Sequence, residues 1–181
     1  MREHGADAQV GRITALPFAD ASFELVCALD IVEHVDDDEG ALSELVRVAR
    51  DGATLLLSVP LHPLRWTAFD DLVGHRRRYE AAQLTGLLAH HGLAIERSAV
   101  YGMQPESSRL LDFGVWGLTH HPHFAAWLYN RVLMPVGMYF QKPLAWTDGL
   151  LDVARVDEVL LVCRKREATA DEGRPAPRAL V

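Results

Sequence analysis

Between Phe23 and Val59 the chain runs from an apolar segment through a capped amphipathic segment to a second apolar segment, and few folds accommodate that order. Phe23 to Leu29 is mostly apolar and bracketed by Asp20-Ala21-Ser22 and Asp30, the pattern of a strand covered on both faces. Asp36 is placed to cap a helix, with Glu39 completing a capping box and Leu42, Leu45, Val46 and Ala49 recurring at helical spacing. Arg47 and Arg50 in the last turn suit the helix dipole, and Gly52 is the expected stop. Thr54 to Val59 then predicts a second buried strand, closed by Pro60, which has no amide hydrogen to donate. A strand, a crossover helix and a strand in so short a span place the two strands parallel, with the helix on one face.

The alternation continues. Glu80 to His91 carries Ala81, Leu84, Leu87 and Leu88 on one face with Gly92 as its stop, Leu93 to Tyr101 follows as a strand, and Val159 to Cys163 is the last. This predicts an open α/β sheet whose ligands sit beyond the carboxyl ends of its strands. One domain is expected over residues 1–166, with a helical insertion or lid at 103–147 rich in aromatic residues and methionine. Residues 167–181 lack apolar periodicity and predict a disordered tail.

Composition narrows the partners. A net charge of -7, with no basic run longer than Arg76-Arg77-Arg78, argues against nucleic acid, because phosphate binding needs clustered cations. A small or lipid-like substrate is the expectation. The longest apolar stretch, Phe124 to Phe140, is interrupted by Asn130, Arg131, Pro135 and Gly137, too broken to span a bilayer but able to lie on one. Cys27 and Cys163 each fall inside an apolar run and are expected to be buried free thiols in a reducing cytoplasm.

The informative positions lie just past the strands. Asp30, Glu33 and His34 follow the first, while His62, Trp66, Asp70 and the run Gly74-His75-Arg76-Arg77-Arg78-Tyr79 follow the second. Histidines and carboxylates on one rim can position a substrate and accept a proton. The structural alternatives are helix bracing for Glu33 and His34, a solvated turn for Arg76 to Arg78, and packing for Trp66. His120-His121-Pro122-His123 lacks the two-ligand helical spacing of a zinc site and has no cysteine nearby, so a polar loop and no metal site are expected. No two glycines stand one residue apart, and no phosphate-cradling glycine motif occurs.

Taken in order, these elements resemble a known family. Leu16-Pro17-Phe18, then Asp20-Ala21-Ser22-Phe23, then a strand ending in Asp30-Ile31-Val32-Glu33-His34, then Asp51-Gly52 before a leucine-rich strand, resemble the middle of a class I S-adenosylmethionine-dependent methyltransferase. The run from Pro60 through Trp66 and Asp70 to Tyr79 is similar to one bacterial branch of that family. The resemblance extends from about Val10 to Gly102, with Val159 to Arg164 as the family's final strand. It implies a Rossmann-like sheet in order 3-2-1-4-5-7-6, with the cofactor at the tips of strands 1, 2 and 4. Gln9 to Ile13 would be strand 3, and strands 4 to 7 would run from Phe23 onward. Strands 1 and 2, with their glycine-rich loop and ribose-holding acid, have no counterpart, so an N-terminally truncated sheet is expected. Arg12 stands where the family often places an aspartate for the adenine amino group.

The implied activity is methyl transfer from S-adenosylmethionine to a small-molecule or lipid-like acceptor. The alternative is a non-catalytic remnant that acts as a binding module. The resemblance places Glu33 and His34 at the reacting centre and Arg12, Ile13, Leu29, Asp30 and Ile31 around the cofactor. His62, Trp66, His75 and Arg76 would shape the acceptor pocket. Loss of strands 1 and 2 would leave Phe23 to Leu29 as an exposed sheet edge, a basis for self-association.

Overall fold

A helix that buries Ala41, Leu42, Leu45 and Val48 along one side must lie on a sheet, and that requirement organises the first half of the molecule. The helix, α1 (Asp38–Val48), joins β1 (Phe23–Leu29) to β2 (Ala49–Pro60), which pair in parallel with Val26 opposite Leu55. The computed structural model describes residues 8–101, 108–140 and 143–167. The expected tail lies, past Glu167, outside the described residues.

Two boundary expectations shift. The cap of α1 is Asp37 rather than Asp36, with the Gly40 amide donating to its carboxylate at 2.8 Å, because Asp36 instead faces Arg76 at 3.4 Å. Gly52 does not end the helix, since the chain turns extended at Ala49 and β2 begins there. With φ of 71°, Gly52 lies where the β1–β2 register jumps from Phe23–Ala49 to Leu25–Thr54, a bulge that a residue without a Cβ adopts cheaply.

After a short helix α2 (Ala68–Val73), α3 (Ala81–His90) buries Leu84 and Leu88 and leads into β3 (Leu93–Val100). The chain then passes through α4 (Ser108–His120), α5 (Pro122–Leu128), a π turn at Tyr129–Leu133 and α6 (Met134–Phe140), returning by β4 (Thr147–Asp148) and β5 (Glu158–Lys165). Five strands form one sheet in order β1-β2-β5-β3-β4, with β5 inserted antiparallel between β2 and β3. The core follows its centre, where Leu55, Leu57, Val59 and Leu161 meet Val32, Leu42 and Tyr79. In this order, β1, β2, β5 and β3 reproduce family strands 4, 5, 7 and 6.

Gln9 to Ile13 is not a strand. The segment is irregular, with an isolated bridge between Arg12 and Ala15, and the chain just after it is tied to α1. The Leu16 amide donates to Glu44 at 2.8 Å, and Arg47 donates to the carbonyls of Phe18 and Leu16 at 2.9 and 3.1 Å. An extended segment is stabilised by a hydrogen-bonded neighbour, and no described strand lies beside it. Cys27 also departs from expectation. Alternation along β1 turns Val26 and Ala28 inward and Leu25, Cys27 and Leu29 outward, so this thiol is exposed while Cys163 is buried.

Between β3 and β4, residues 108–120 and 122–140 are helical, and 102–107 and 141–142 lie outside the described residues. His120 ends α4 and Pro122 opens α5, so the histidine run belongs to helix termini rather than a loop. Phe124, Trp127, Met138 and Tyr139 are exposed along this arm, and Arg97 of β3 lies 5.0 Å over the Trp146 ring at its base. No helix among the described residues is long and apolar enough to cross a membrane.

Candidate functional site

The chain leaves β1 in an unusual conformation. Asp30 takes a left-handed φ of 52°, which a non-glycine residue adopts only where surrounding contacts hold it. Here Ser58 at the end of β2 provides them, accepting the Asp30 amide on Oγ at 2.9 Å and donating to Asp30 Oδ1 at 2.6 Å. The turn drops the chain into a 3₁₀ segment, Val32–His34, that buries Val32 and Glu33. Glu33 is 0% exposed, and neither carboxylate oxygen has a hydrogen-bond partner. Burial above all, with a smaller push from the nearby Asp30 carboxylate, lifts its carboxyl to about 7.

Facing this turn is the loop around α2. Thr67 caps α2 in a full capping box, its Oγ accepting from the Phe69 amide while its own amide donates to Asp70 Oδ2 at 2.7 Å. Asp70 is fully buried. Arg78, also buried, clamps it with two bonds of 2.7 and 2.9 Å, and His75 Nδ1 donates to it at 2.8 Å. Burial alone would raise the Asp70 carboxyl, but these donors outweigh it and hold it down at about 2. Gly74, with φ of 79°, ends α2 and turns the chain so that His75 and the Arg76 amide come back over the β1 turn. The Arg76 amide donates to the Glu33 carbonyl at 2.8 Å.

The two loops bring three side chains together. The His34 and His75 rings meet edge to face with centroids 4.7 Å apart, and each Nε2 lies 3.9 Å from Glu33 Oε1. Each Nδ1 is engaged on the other side, that of His34 by the Gly74 carbonyl at 3.3 Å and that of His75 by Asp70. On the neighbouring β5, burial and the Asp30 carboxylate hold Glu158 well above the ordinary carboxylate range, and Tyr101 shares this acidic surrounding. A carboxyl near neutrality beside two imidazoles has what acid–base chemistry needs.

Of the expected site residues, Asp30, Glu33, His34 and His75 converge, and Leu29 and Ile31 flank Asp30 with exposed side chains. His62 is occupied elsewhere, its Nε2 bonded to the Val153 carbonyl at 2.8 Å and its backbone left-handed. Trp66 donates to Asp71 at 2.9 Å, and the exposed side chain of Arg76 faces Asp36, so Arg76 joins the site only through its amide. Arg12 lies in the irregular N-terminal turn, and Ile13 packs partly against the core. Sequence reasoning missed the supporting roles of Arg78, Ser58 and Glu158. The pattern Thr67-x-x-Asp70 could have marked the capping box, and Glu158 stands as a lone acid at the head of an apolar strand.

Comparison with known proteins bears on the fold and the family resemblance. The family described as Methyltransferase domain matches residues 1–57. A probable S-adenosylmethionine-dependent methyltransferase of Mycolicibacterium smegmatis is 35% identical over 94 residues, 50% of this chain and 36% of that protein. Ajmaline N-methyltransferase of Rauvolfia serpentina is 38% identical over 53 residues, 29% of this chain and 18% of that enzyme. The chain therefore spans about a third or less of the length of these curated relatives. Among solved structures, a methyltransferase from Thermotoga maritima superposes with a TM-score of 0.56 at 16% identity, over 91% of this chain and 67% of that one. The [4+2]-cyclase SpnF superposes with a TM-score of 0.53 at 19% identity, over 92% of this chain and 58% of that one. Residues 1–57 thus match the methyltransferase domain family, and the strand order and superpositions give the described residues the fold of solved methyltransferases.

Proposed function

We propose that the chain takes part in methyl transfer from S-adenosylmethionine to a small-molecule or lipid-like acceptor, with Glu33 and His34 at the reacting centre. The observation that carries this reading is a buried carboxyl without hydrogen-bond partners, set between two imidazoles just past a sheet strand. When bound, S-adenosylmethionine supplies an electrophilic methyl group. Leu29 and Ile31, 40% and 41% exposed on either side of Asp30, fit an apolar wall for the methionine end of the cofactor. Glu33 would take or hold the acceptor's proton, His34 would align the acceptor from the open side, and His75, fixed by Asp70, would set the depth of the site. Exposed Phe124, Trp127 and Met138 on the helical arm support an apolar acceptor, received by a lid or at a membrane surface.

A second reading is a binding module. It draws support from the outward-facing Leu25, Cys27 and Leu29 on β1, whose second edge has no described neighbour, and from the likeness to a cyclase, since a shared fold does not fix a reaction. Titration with S-adenosylmethionine separates the two. Weak binding that weakens further, at least about tenfold, in Ile31→Asp, with circular dichroism unchanged, is the expected result, because a charge would replace part of an apolar wall. Absence of binding would favour the module. Sedimentation would then test self-association through β1.

A further inference from the structure

We infer that Glu33, His34 and His75 form a binding site for a divalent transition ion of the zinc class. The ligand atoms these residues offer lie within 4.8 Å of one another, and both histidine Nε2 atoms converge on Glu33 Oε1 at 3.9 Å. Hydrogen-bond accounting explains why such an arrangement needs a cation. The Gly74 carbonyl and the ionised Asp70 can only accept, so each histidine carries a hydrogen on Nδ1, the arrangement that frees Nε2 to act as a ligand atom. When Glu33 is ionised, three lone-pair-bearing atoms thus face one another without a hydrogen between them.

Among the described residues, no side-chain cation is paired with them. Arg78 is clamped on Asp70, Arg77 pairs with Asp38 and donates to the carbonyls of Val35 and Asp36, and Arg76 faces Asp36. Glu33 is wholly buried and its carboxylate has no hydrogen-bond partner, a state that costs free energy unless something completes it. The second shell is that of a metal site: one histidine is oriented by a carboxylate, the other by a backbone carbonyl. Two imidazoles and one carboxylate suit zinc, iron or cobalt rather than magnesium or calcium, and they leave positions open for water or another ligand. Bonds of about 2.0–2.2 Å would draw the three atoms to roughly 3.3 Å apart, a short movement for His34, whose side chain is 34% exposed.

The sequence conceals this site. Glu33 and His34 are adjacent, a spacing that does not suggest two ligands on one helical face, and the second histidine comes from a loop some forty residues later. The inference concerns ion binding alone and stands whether or not methyl transfer is confirmed.

The test is a titration of the intact chain, freed of metal by chelation, with cobalt(II) chloride followed by visible absorption, and then displacement by zinc chloride. One ion per chain is expected, with d–d bands of a low-symmetry site, zinc displacing cobalt, and no displacement by millimolar magnesium. His34→Ala and Glu33→Gln should each weaken cobalt binding by at least about tenfold, as loss of a direct ligand should exceed or match the roughly 10–100-fold attached to second-shell changes. The ion should also raise the melting temperature of the wild type and not that of His34→Ala, whose partly exposed position makes misfolding an easy outcome to detect by circular dichroism. A variant with His120, His121 and His123 all changed to alanine should bind as the wild type does. No cobalt binding at millimolar concentration, binding lost with the His120–His123 changes, or binding unaltered in both Glu33→Gln and His34→Ala would each overturn the inference.

Discussion

Two carboxylates are buried completely at the same rim, and they live opposite lives. Asp70, in the loop around α2, receives bonds from Arg78, Thr67 and His75, and its carboxyl is held at about 2. Glu33, in the turn after β1, receives none, and burial lifts its carboxyl to about 7. The difference lies in what each loop was able to bring along. The α2 loop carries its own arginine eight residues from its acid and closes on itself, so its charge is neutralised before the loop meets anything else. The β1 turn depends on the other loop for its surroundings, and the side chains that loop and the turn itself set beside the Glu33 carboxylate are the imidazoles of His75 and His34. The satisfied acid therefore reads as scaffold, and the unsatisfied one as the place where a proton, a substrate or an ion completes the structure.

The largest test of that contrast falls on the scaffold. Arg78→Met would leave Asp70 as a buried charge without its main partner, and breaking one side of such a pair is expected to cost about 3–5 kcal/mol of stability. Urea denaturation measures it. A loss below about 1 kcal/mol would mean that Thr67 and His75 suffice and that Arg78 is not central.

How far these features were legible in the sequence follows the same division between local and assembled structure. The apolar runs of β1, β2 and β5 and the helical faces of α1 and α3 were readable because each is a local pattern with a local physical cause. Two boundaries near α1 were not, since Asp36 and Asp37 both can cap and the choice turned on Arg76, a residue from another loop. Glu33 and His34 were found from their place after a strand. That they share a rim with His75 was legible too, but the direct contact was not, because it depends on Gly74 turning a distant loop back over Glu33. His62 misled for the same reason: its position after β2 was right for a site, but its ring is used by the Val153 carbonyl.

The cysteines repeat the contrast between a group the fold has enclosed and one it has left open. Cys27 is exposed on the outer face of β1, whereas Cys163 is buried between β2 and β3, where desolvation pushes its thiol up to about 12. Only the thiolate reacts readily. A maleimide reagent at neutral pH is expected to label Cys27 at least about a hundredfold faster than Cys163, which should react only as the domain unfolds. Equal rates, read by mass spectrometry of the labelled peptides, would show that the sheet opens far more easily than its packing implies.

A smaller effect is expected from Glu33→Gln measured in chelator. The isostere removes a carboxyl that has no hydrogen bond to lose and whose ionised form burial disfavours, so stability should not fall and should rise modestly toward and above neutral pH. A loss of several kcal/mol would place Glu33 with Asp70 among the scaffold residues and dissolve the contrast.

The mildest test moves to a third acid, satisfied like Asp70 but at the surface. Glu44 accepts from Arg47 at 2.7 and 2.9 Å and from the Leu16 amide at 2.8 Å, and these bonds tie the irregular segment before β1 to α1. Arg47 is the chief reason that the Glu44 carboxyl sits down at about 2, against an ordinary value of 4.5. A carboxyl lowered on folding stabilises the folded state fully above its unfolded pKa, and loses that contribution as the pH falls through the folded one. The native chain should therefore shed this stabilisation between about pH 4.5 and pH 2, and Glu44→Gln should lack that portion of the acid limb while matching the wild type's pH dependence above it. Because the groups are accessible to water and salt, the change should be slight in global melting and clearest as faster amide exchange at Leu16. Exchange at Leu16 unaffected by the substitution would mean that the segment before β1 is held by its contacts with Phe18 and the core, and that this surface acid contributes charge without anchoring.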